Sequence, residues 1–296
     1  MQNERSIMSS AVGTDNTKLK AMGLMVFGMM FIPLGDSFAK LATEATTYSP
    51  AMLAWARFAL GAALFLPLAV LTGNFRVHTK RFWFAQLVRG GLFSGGITSL
   101  ITAVSAVPLA DAFGAFFIGP AVATILARFV LAEPVHRLEW IAICLGFVGV
   151  MLIVKPGGQM APGILWALLA GCFYGGYLVA TRWANTVGPP LGQLAAQLCV
   201  GMLLLTPFAL MDMKAFDLQA PALLFGSGFA SATGNLFAIM AFARARAGTL
   251  TPLVYAQLIS ATFLGWFIFA DSPDMASAIG LAIITIAGFS PLLVKR

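Results

Sequence analysis

The sequence predicts an all-α membrane protein of ten transmembrane helices, arranged as two inverted five-helix repeats. Three observations predict it. The 296 residues are 59% hydrophobic and only 10% charged, with a mean hydropathy of +0.89, whereas a soluble domain carries about 25% charged residues. Too few polar side chains remain to coat a water-facing globule, so lipid must solvate much of the surface. Ten apolar runs follow one another at 19–41, 51–72, 82–104, 109–131, 138–154, 162–182, 191–211, 220–243, 249–270 and 276–294, each close to the ~20 residues that cross a bilayer. Landmarks of the first five runs recur in the second five at a common offset.

Taken in order, residues 1–18 are polar and lack an apolar core followed by a small-residue cleavage site, so they read as a flexible cytoplasmic tail rather than a signal peptide. The first span carries Pro33, Asp36 and Lys40, and Ser49-Pro50 separates it from the second, which carries Trp55 and Arg57. The third is crowded by Gly90, Gly91, Gly95 and Gly96, with the close-packing pattern Gly91-x-x-x-Gly95, and holds Arg89 near its inner end. Asp111 opens the fourth, which contains Pro120, and the fifth stops before Lys155-Pro156-Gly157-Gly158. Tyr174 and Tyr177 lie in the sixth. Gly188-Pro189-Pro190 precedes the seventh, where Gln193 and Gln197 are spaced i, i+4. The eighth has Gly226, Gly228, Gly234 and Asn235, and the ninth has Pro252, Tyr255 and Gln257. Kinks at Pro33, Pro120 and Pro252 free carbonyls to face a cavity; Pro120 and Pro252 do not coincide at the repeat offset, so they carry no expectation of symmetric hinges. Cys144, Cys172 and Cys199 all fall inside apolar runs and read as packing residues, not a disulfide framework.

With the amino terminus inside, thirteen of the 18 lysines and arginines fall on inner segments and three (Lys40, Lys155, Lys214) on outer ones, with Arg57 and Arg89 inside helices. Cytoplasmic loops retain positive charge, so both termini are expected in the cytoplasm, with the protein in the bacterial inner membrane. The net charge of +7 is then a topology signal and implies no nucleic-acid partner.

Gly23, Gly35, Pro50, Gly61 and Pro67 recur 140 positions later as Gly163, Gly175, Pro190, Gly201 and Pro207, and Ala132-Glu133-Pro134 parallels Ala270-Asp271-Ser272-Pro273 at an offset of 138 to 139. Five spans is an odd number, so the second repeat enters the membrane from the opposite side. The expected division is a tail at 1–18, a first repeat at 19–156 and a second at 157–296. Inverted repeats of this kind are an architecture of secondary transporters, with the solute site near mid-membrane between the halves.

Particular motifs agree. The second span reads Ala51-Met-Leu-Ala-Trp55-Ala-Arg57-Phe58; the fourth reads Pro120-Ala-Val-Ala-Thr-Ile-Leu-Ala-Arg-Phe-Val-Leu-Ala-Glu133-Pro134, followed by Gly146-Phe-Val-Gly149-Val-Met-Leu-Ile-Val-Lys155-Pro156. These runs resemble the drug/metabolite transporter (DMT) superfamily and, within it, the EamA-type ten-helix carriers. The likeness covers nearly the whole chain after residue 18. The second repeat departs from the pattern, with Gln197 at the position of Arg57 and Asp271 in place of the glutamate. The resemblance implies a carrier of amino acids, nucleotide-like metabolites, vitamins or drugs.

Ionisable groups inside a membrane are costly and so are candidates for function. Asp36 and Lys40, four apart on one helix face, are close enough to pair, and an outer-half cluster of Asp36, Lys40, Arg57 and Asp111 is expected. In one reading Arg57 anchors a carboxylate or phosphate, which its planar fork suits, and Asp36 binds a cation or proton; in the other the two lock helices together. Lys40 can snorkel outward and Asp111 can serve a helix N-terminus. Arg89 is expected to snorkel to the inner lipid headgroups. Trp55, Tyr174, Tyr177, Gln197, Asn235, Tyr255 and Gln257 should point into the bundle, where together they frame a cavity for a polar ring or zwitterion, while each alone reads as a helix–helix hydrogen bond.

The expected activity is secondary transport of a small polar metabolite, an amino acid or derivative, by alternating access. The alternative is a vitamin or nucleotide-like solute of the riboflavin or S-adenosylmethionine type, with proton coupling at Asp36 or facilitated exchange as the driving mode. An enzyme is disfavoured: His78 and His136 are the only histidines, both in expected loops, and no Ser-His pair, P-loop or HExxH occurs. A channel fits an inverted two-fold repeat less well than alternating access. No cofactor or metal is expected, the partners are the solute and membrane lipid, and the chain is expected as a monomer or weak homodimer.

Overall fold

The computed structural model describes residues 2–75, 79–132, 137–154, 161–184, 186–212, 220–244 and 250–293. Its helices, in chain order, are α1 (Gln2–Ala45), α2 (Pro50–Leu71), α3 (Lys80–Val104), α4 (Leu109–Phe116), α5 (Ile118–Val130), α6 (Arg137–Val154), α7 (Pro162–Trp183), α8 (Pro190–Asp212), α9 (Pro221–Phe242), a 3-10 turn (Thr251–Tyr255), α10 (Ala256–Phe269) and α11 (Met275–Leu293). Seven stretches are long and apolar enough to cross a membrane, with α4 and α5 counting together as Leu109–Val130; shorter apolar helices at Ile143–Val154, Leu253–Phe269 and Met275–Ala287 bring the described spans to ten.

Local chemistry explains the helix ends. Ser49 accepts the Met52 N–H at 3.2 Å with Pro50 at the first helical position, and Thr79 accepts the Phe82 N–H at 3.1 Å. Inside the spans, hydroxyls return to carbonyls one turn back, as Ser37 does to Pro33, Thr124 to Pro120 and Thr262 to Leu258, which satisfies them without water. Large apolar side chains such as Phe129, Phe267 and Leu203 are exposed around the bundle, as a lipid-facing surface requires.

The two repeats use the same devices at matching positions. Ala132 and Ala270, 138 apart, both take left-handed backbone at φ 54° where the fourth and ninth spans end, a conformation that costs a residue with a Cβ about 1–2 kcal/mol. The same two spans break at matching positions: Phe117 (φ −71°, ψ 7°) separates α4 from α5, and Tyr255 (φ −65°, ψ −11°) separates the 3-10 turn from α10. The breaks are therefore symmetric although the prolines are not. Pro120 lies three residues after one break, whereas Pro252 opens the 3-10 turn three residues before the other.

Packing follows an inverted two-fold arrangement. α1 lies on α9 as α7 lies on α3; α2 meets α8 and α6 meets α11 on the pseudo-axis itself. A Cβ at Gly61 would sit 3.2 Å from the Leu198 side chain, and one at Gly201 2.5 Å from the Phe58 ring; each contact is the other shifted by 140. Gly149 and Gly280 face each other's carbonyl oxygens across α6 and α11, at 2.8 and 2.6 Å from the added Cβ. The small-residue pattern Gly91-x-x-x-Gly95 plays a different part from the expected backbone approach. Gly91 meets only the tip of Leu204 at 3.8 Å and Gly95 receives the ring of Phe173.

The broken fourth span is seated on a glycine groove of α7. Pro120 has no N–H to offer the Phe116 carbonyl, and that oxygen instead lies against Gly171, where a Cβ would stand 2.5 Å from it. Gly171→Ala should therefore lower the thermal unfolding midpoint of the detergent-solubilised protein, at a cost of about 1–3 kcal/mol. Gly146→Ala, where an added Cβ meets nothing within 4 Å, should leave it unchanged or slightly raised. Equal midpoints for the two variants would contradict this seating.

Candidate functional site

At the centre, where α1, α3, α7 and α9 surround the two broken spans, a cavity of about 20 Å³ is lined by Ile32, Phe93, Phe116, Tyr174, Asn235 and Gln257 among others. That is space for roughly one water, far below the ~300–1,000 Å³ of small-molecule pockets, so this conformation is closed around its centre. An apolar groove of about 470 Å³ between α10 and α11, at Phe263, Trp266 and Leu281, lies on the outer surface and carries no charged group to orient a solute.

Aromatic rings form a continuous ladder through the cavity. Phe58 meets Phe93 edge-on at 5.5 Å, Phe93 stacks on Tyr177 at 4.9 Å, and Tyr177 stacks on Tyr174 at 6.1 Å. Tyr174 then meets Phe116 at 4.8 Å, Phe116 meets Phe117 at 5.8 Å, and Phe117 stacks on Tyr255 at 4.9 Å. The ladder thus joins both repeats, and its last pair stands at the two helix breaks. Gln257 donates through Nε2 to the Met29 sulfur and, at 3.5 Å, to the Tyr174 hydroxyl; Asn235 donates to the Ser231 carbonyl at 2.9 Å.

Toward the carboxy-terminal end of α1 two ion pairs form, one of them the helix-locking pair that the second reading of Arg57 expected. Asp36 pairs with Arg57 rather than with Lys40. Both are buried, and Asp36 Oδ2 with Arg57 Nε and Nη2 have no hydrogen-bond partner. Lys40, one turn further out, pairs with Asp271 of the ninth span at 2.8 Å and lies 4.4 Å from the Phe269 ring centre. The reason is depth: the dry interior favours the guanidinium fork at Asp36, while Lys40 reaches a carboxylate that keeps partial contact with solvent. Asp111 is half-buried in the first turn of α4, where a carboxylate complements the helix N-terminus.

Arg89 overturns its expectation of snorkelling to lipid. It is fully buried, because Gln86 on its own helix, Thr181 on α7 and Gln193 on α8 supply acceptors at the same depth. Tyr177 donates to Gln197 Oε1 at 3.2 Å beside this cluster. Trp55 donates to Thr206 at 3.0 Å, tying α2 to α8. Of the residues expected to frame the cavity, Tyr174, Asn235 and Gln257 line it; Tyr177 and Gln197 join the inner polar cluster, and Tyr255 stands at the break in the ninth span. Sequence reasoning missed Gln86, Thr181 and the ring set Phe93, Phe116 and Phe117. The i, i+3 spacing of Gln86 and Arg89 was the available signal for the first; phenylalanines in an apolar run give none.

The model of the EamA-like transporter family matches residues 19–155 and 161–289. An S-adenosylmethionine uptake transporter of Rickettsia conorii is 26% identical over 273 residues, 90% of each chain. A riboflavin transporter of Vibrio cholerae is 26% identical over 276 residues, again 90% of each, and one of Brucella anthropi is 25% identical over 244 residues, 79% of this chain and 84% of its own. A solved crystal structure superposes with a TM-score of 0.62 over 92% of this chain and 96% of its own at 18% identity, which is a likeness of fold.

The buried pair yields a test. Arg57→Met strands the Asp36 carboxylate and should destabilise the protein by about 3–5 kcal/mol, while adding Asp36→Asn should restore most of that loss. Additive losses in a thermal double-mutant cycle would show that the two residues do not act as a pair.

Proposed function

The chain belongs to the EamA-like transporter family, within the DMT superfamily, and from that premise we propose that it carries a small metabolite with a flat, nitrogen-containing ring across the bacterial inner membrane by alternating access. It is a multi-pass membrane transporter and not an enzyme; the solute class, the membrane, the orientation and the cycle are the proposal.

The aromatic ladder is the observation that carries the solute class. Aromatic groups prefer partners at centroid separations of ~4.5–7 Å, and the rings from Phe93 to Tyr255 are already spaced so. A fused heteroaromatic ring entering the cavity would take over contacts that the ladder makes with itself. Gln257 and Asn235 then offer amide donors and acceptors to the ring edge. Adenine and the flavin ring both have this character, in keeping with relatives named for S-adenosylmethionine uptake and for riboflavin. An aliphatic amino acid has no use for the ladder, so the vitamin or nucleotide-like alternative is preferred over the amino-acid default.

In this reading the cycle separates the repeats on one side at a time. Opening outward parts α1 from α10 and breaks the Lys40–Asp271 pair; opening inward parts α3, α7 and α8 at Arg89. The breaks at Phe117 and Tyr255 place the bending points beside the solute. Thirteen basic residues on inner segments against three on outer ones support cytoplasmic chain ends.

Purified protein in proteoliposomes should take up labelled riboflavin or S-adenosylmethionine saturably, and Tyr174→Ala and Gln257→Ala should each lower that uptake about tenfold or more, a loss of ~1.4 kcal/mol. Uptake confined to amino acids would refute the ring reading. If transport is proton-coupled through Asp36, a pH gradient should accelerate uptake by the wild type and not by Asp36→Asn; an unaltered pH response in that variant removes Asp36 from the mechanism. Tags at both ends should be protected in intact spheroplasts, and exposure of either one would overturn the orientation.

A further inference from the structure

Two arginines are buried in the described part of the bundle, and only one has a counter-ion. Arg57 is neutralised by Asp36. Arg89 is held by neutral groups alone: Nη1 donates to Gln86 Oε1 at 2.8 Å and to Gln193 Oε1 at 2.9 Å, and Nε donates to Thr181 Oγ1 at 3.1 Å. The ring of Tyr177 lies 5.7 Å from its Cζ. No carboxylate pairs with it among the described residues.

The neighbouring groups sharpen the imbalance. Gln86 and Gln197 are fully buried. Gln86 has turned its oxygen toward Arg89, and Gln197 has turned its oxygen toward the Tyr177 hydroxyl. What remains without a partner is Arg89 Nη2, Gln86 Nε2 and Gln197 Nε2, and every one of these is a donor. Arg57 also leaves donors unpartnered, but its charge is met by Asp36; at Arg89 neither the charge nor the spare donors have an anionic partner among the described residues. A positive charge surrounded by unused N–H groups in a low-dielectric interior lacks one thing, an anion with several acceptor oxygens.

We infer that this cluster is an anion subsite that receives the carboxylate or phosphate of the transported metabolite while its ring lies on the aromatic ladder, an inference that rests on the ring reading above. The geometry joins the two parts. Phe93 lines the central cavity one turn of α3 outward from Arg89, roughly 6 Å at ~1.5 Å per residue. Tyr177 stacks on Phe93 and also lies against the Arg89 guanidinium. A planar guanidinium takes carboxylate and phosphate through paired N–H bonds. A lipid headgroup phosphate has the same chemistry, but Arg89, Gln86 and Gln197 have no exposure to the lipid face, which favours a soluble anion.

Because an unpaired buried charge is unfavourable, the substitution that destroys the site should also stabilise the empty protein, which a purely structural arginine would not do. The test uses wild type, Arg89→Gln and Arg89→Lys in nanodiscs of phosphatidylcholine, with riboflavin against riboflavin 5′-phosphate, adenosine against AMP, and inorganic phosphate alone. The phosphorylated member of at least one pair should bind wild type about tenfold more tightly than its parent, a difference of ~1.4 kcal/mol. Arg89→Gln should abolish that preference, retain the neutral ring within about twofold, and raise the unfolding midpoint of the empty protein, with Arg89→Lys keeping part of the preference. A preference that survives in Arg89→Gln, or rings that bind wild type without one, overturns the subsite. If no ring compound binds at all, the ring reading fails, and the phosphate arm decides the subsite by itself: stabilisation of wild type but not Arg89→Gln supports it, and none overturns it. Loss of the phosphate effect in phosphatidylglycerol discs would assign the site to lipid and overturn the metabolite proposal.

Discussion

Backbone meeting backbone at the seam between the repeats is the constraint on which the rest of the structure depends. In hydrocarbon, apolar side chains gain little by leaving lipid for protein, so helices must hold together by close approach and by internal polar bonds. Gly149 against Gly280 and Gly171 against the Phe116 carbonyl are such approaches, and neither tolerates a Cβ without displacement. The first joins the last helix of one repeat to the last helix of the other. The second does more than pack. It receives a carbonyl that Pro120 has left outside the helical ladder, and so lets the fourth span be broken in a place where no water is at hand to satisfy it.

On this nearly symmetric frame the charges are distributed asymmetrically. Arg57 and Gln197 occupy equivalent positions, 140 apart, yet one forms a buried ion pair and the other turns its oxygen to Tyr177. Arg57 and Lys40 have counter-charges in Asp36 and Asp271, whereas the charge of Arg89 is kept among amides and a hydroxyl. A nearly symmetric frame thus holds a polar gradient that is not symmetric, and in the proposed cycle that gradient would give an asymmetric solute one preferred orientation.

The number and order of the spans were legible in the sequence because both depend on one-dimensional signals: apolar run length and the recurrence of glycine and proline at one offset. What other helices bring to a given depth has no such signal. Asp36 and Lys40 share a helix face, but Arg57 and Asp271 arrive from other spans and take one each. Arg89 stands close enough to a helix end to snorkel, yet Thr181 and Gln193 arrive at its level and enclose it. The breaks at Phe117 and Tyr255 were hidden for a different reason. Proline position was the visible cue, and the two prolines stand on opposite sides of the shared register, so their spacing concealed the equivalence.

A centre of only about 20 Å³ would limit which solutes could drive the proposed cycle. A solute shifts a conformational equilibrium only by as much as it prefers one state over the other. To enter, it must part rings that are already in contact, among them Phe93 from Tyr177 and Phe117 from Tyr255. An aliphatic solute would leave those faces without equivalent partners, so part of its binding would be consumed in separating them. A flat ring restores the stacking on both faces as it enters, which makes the opened, loaded state comparable in contact energy to the closed, empty one. In the proposed reading the ladder selects by replacement: the solute that best imitates the rings it displaces is the one that would hold the centre open.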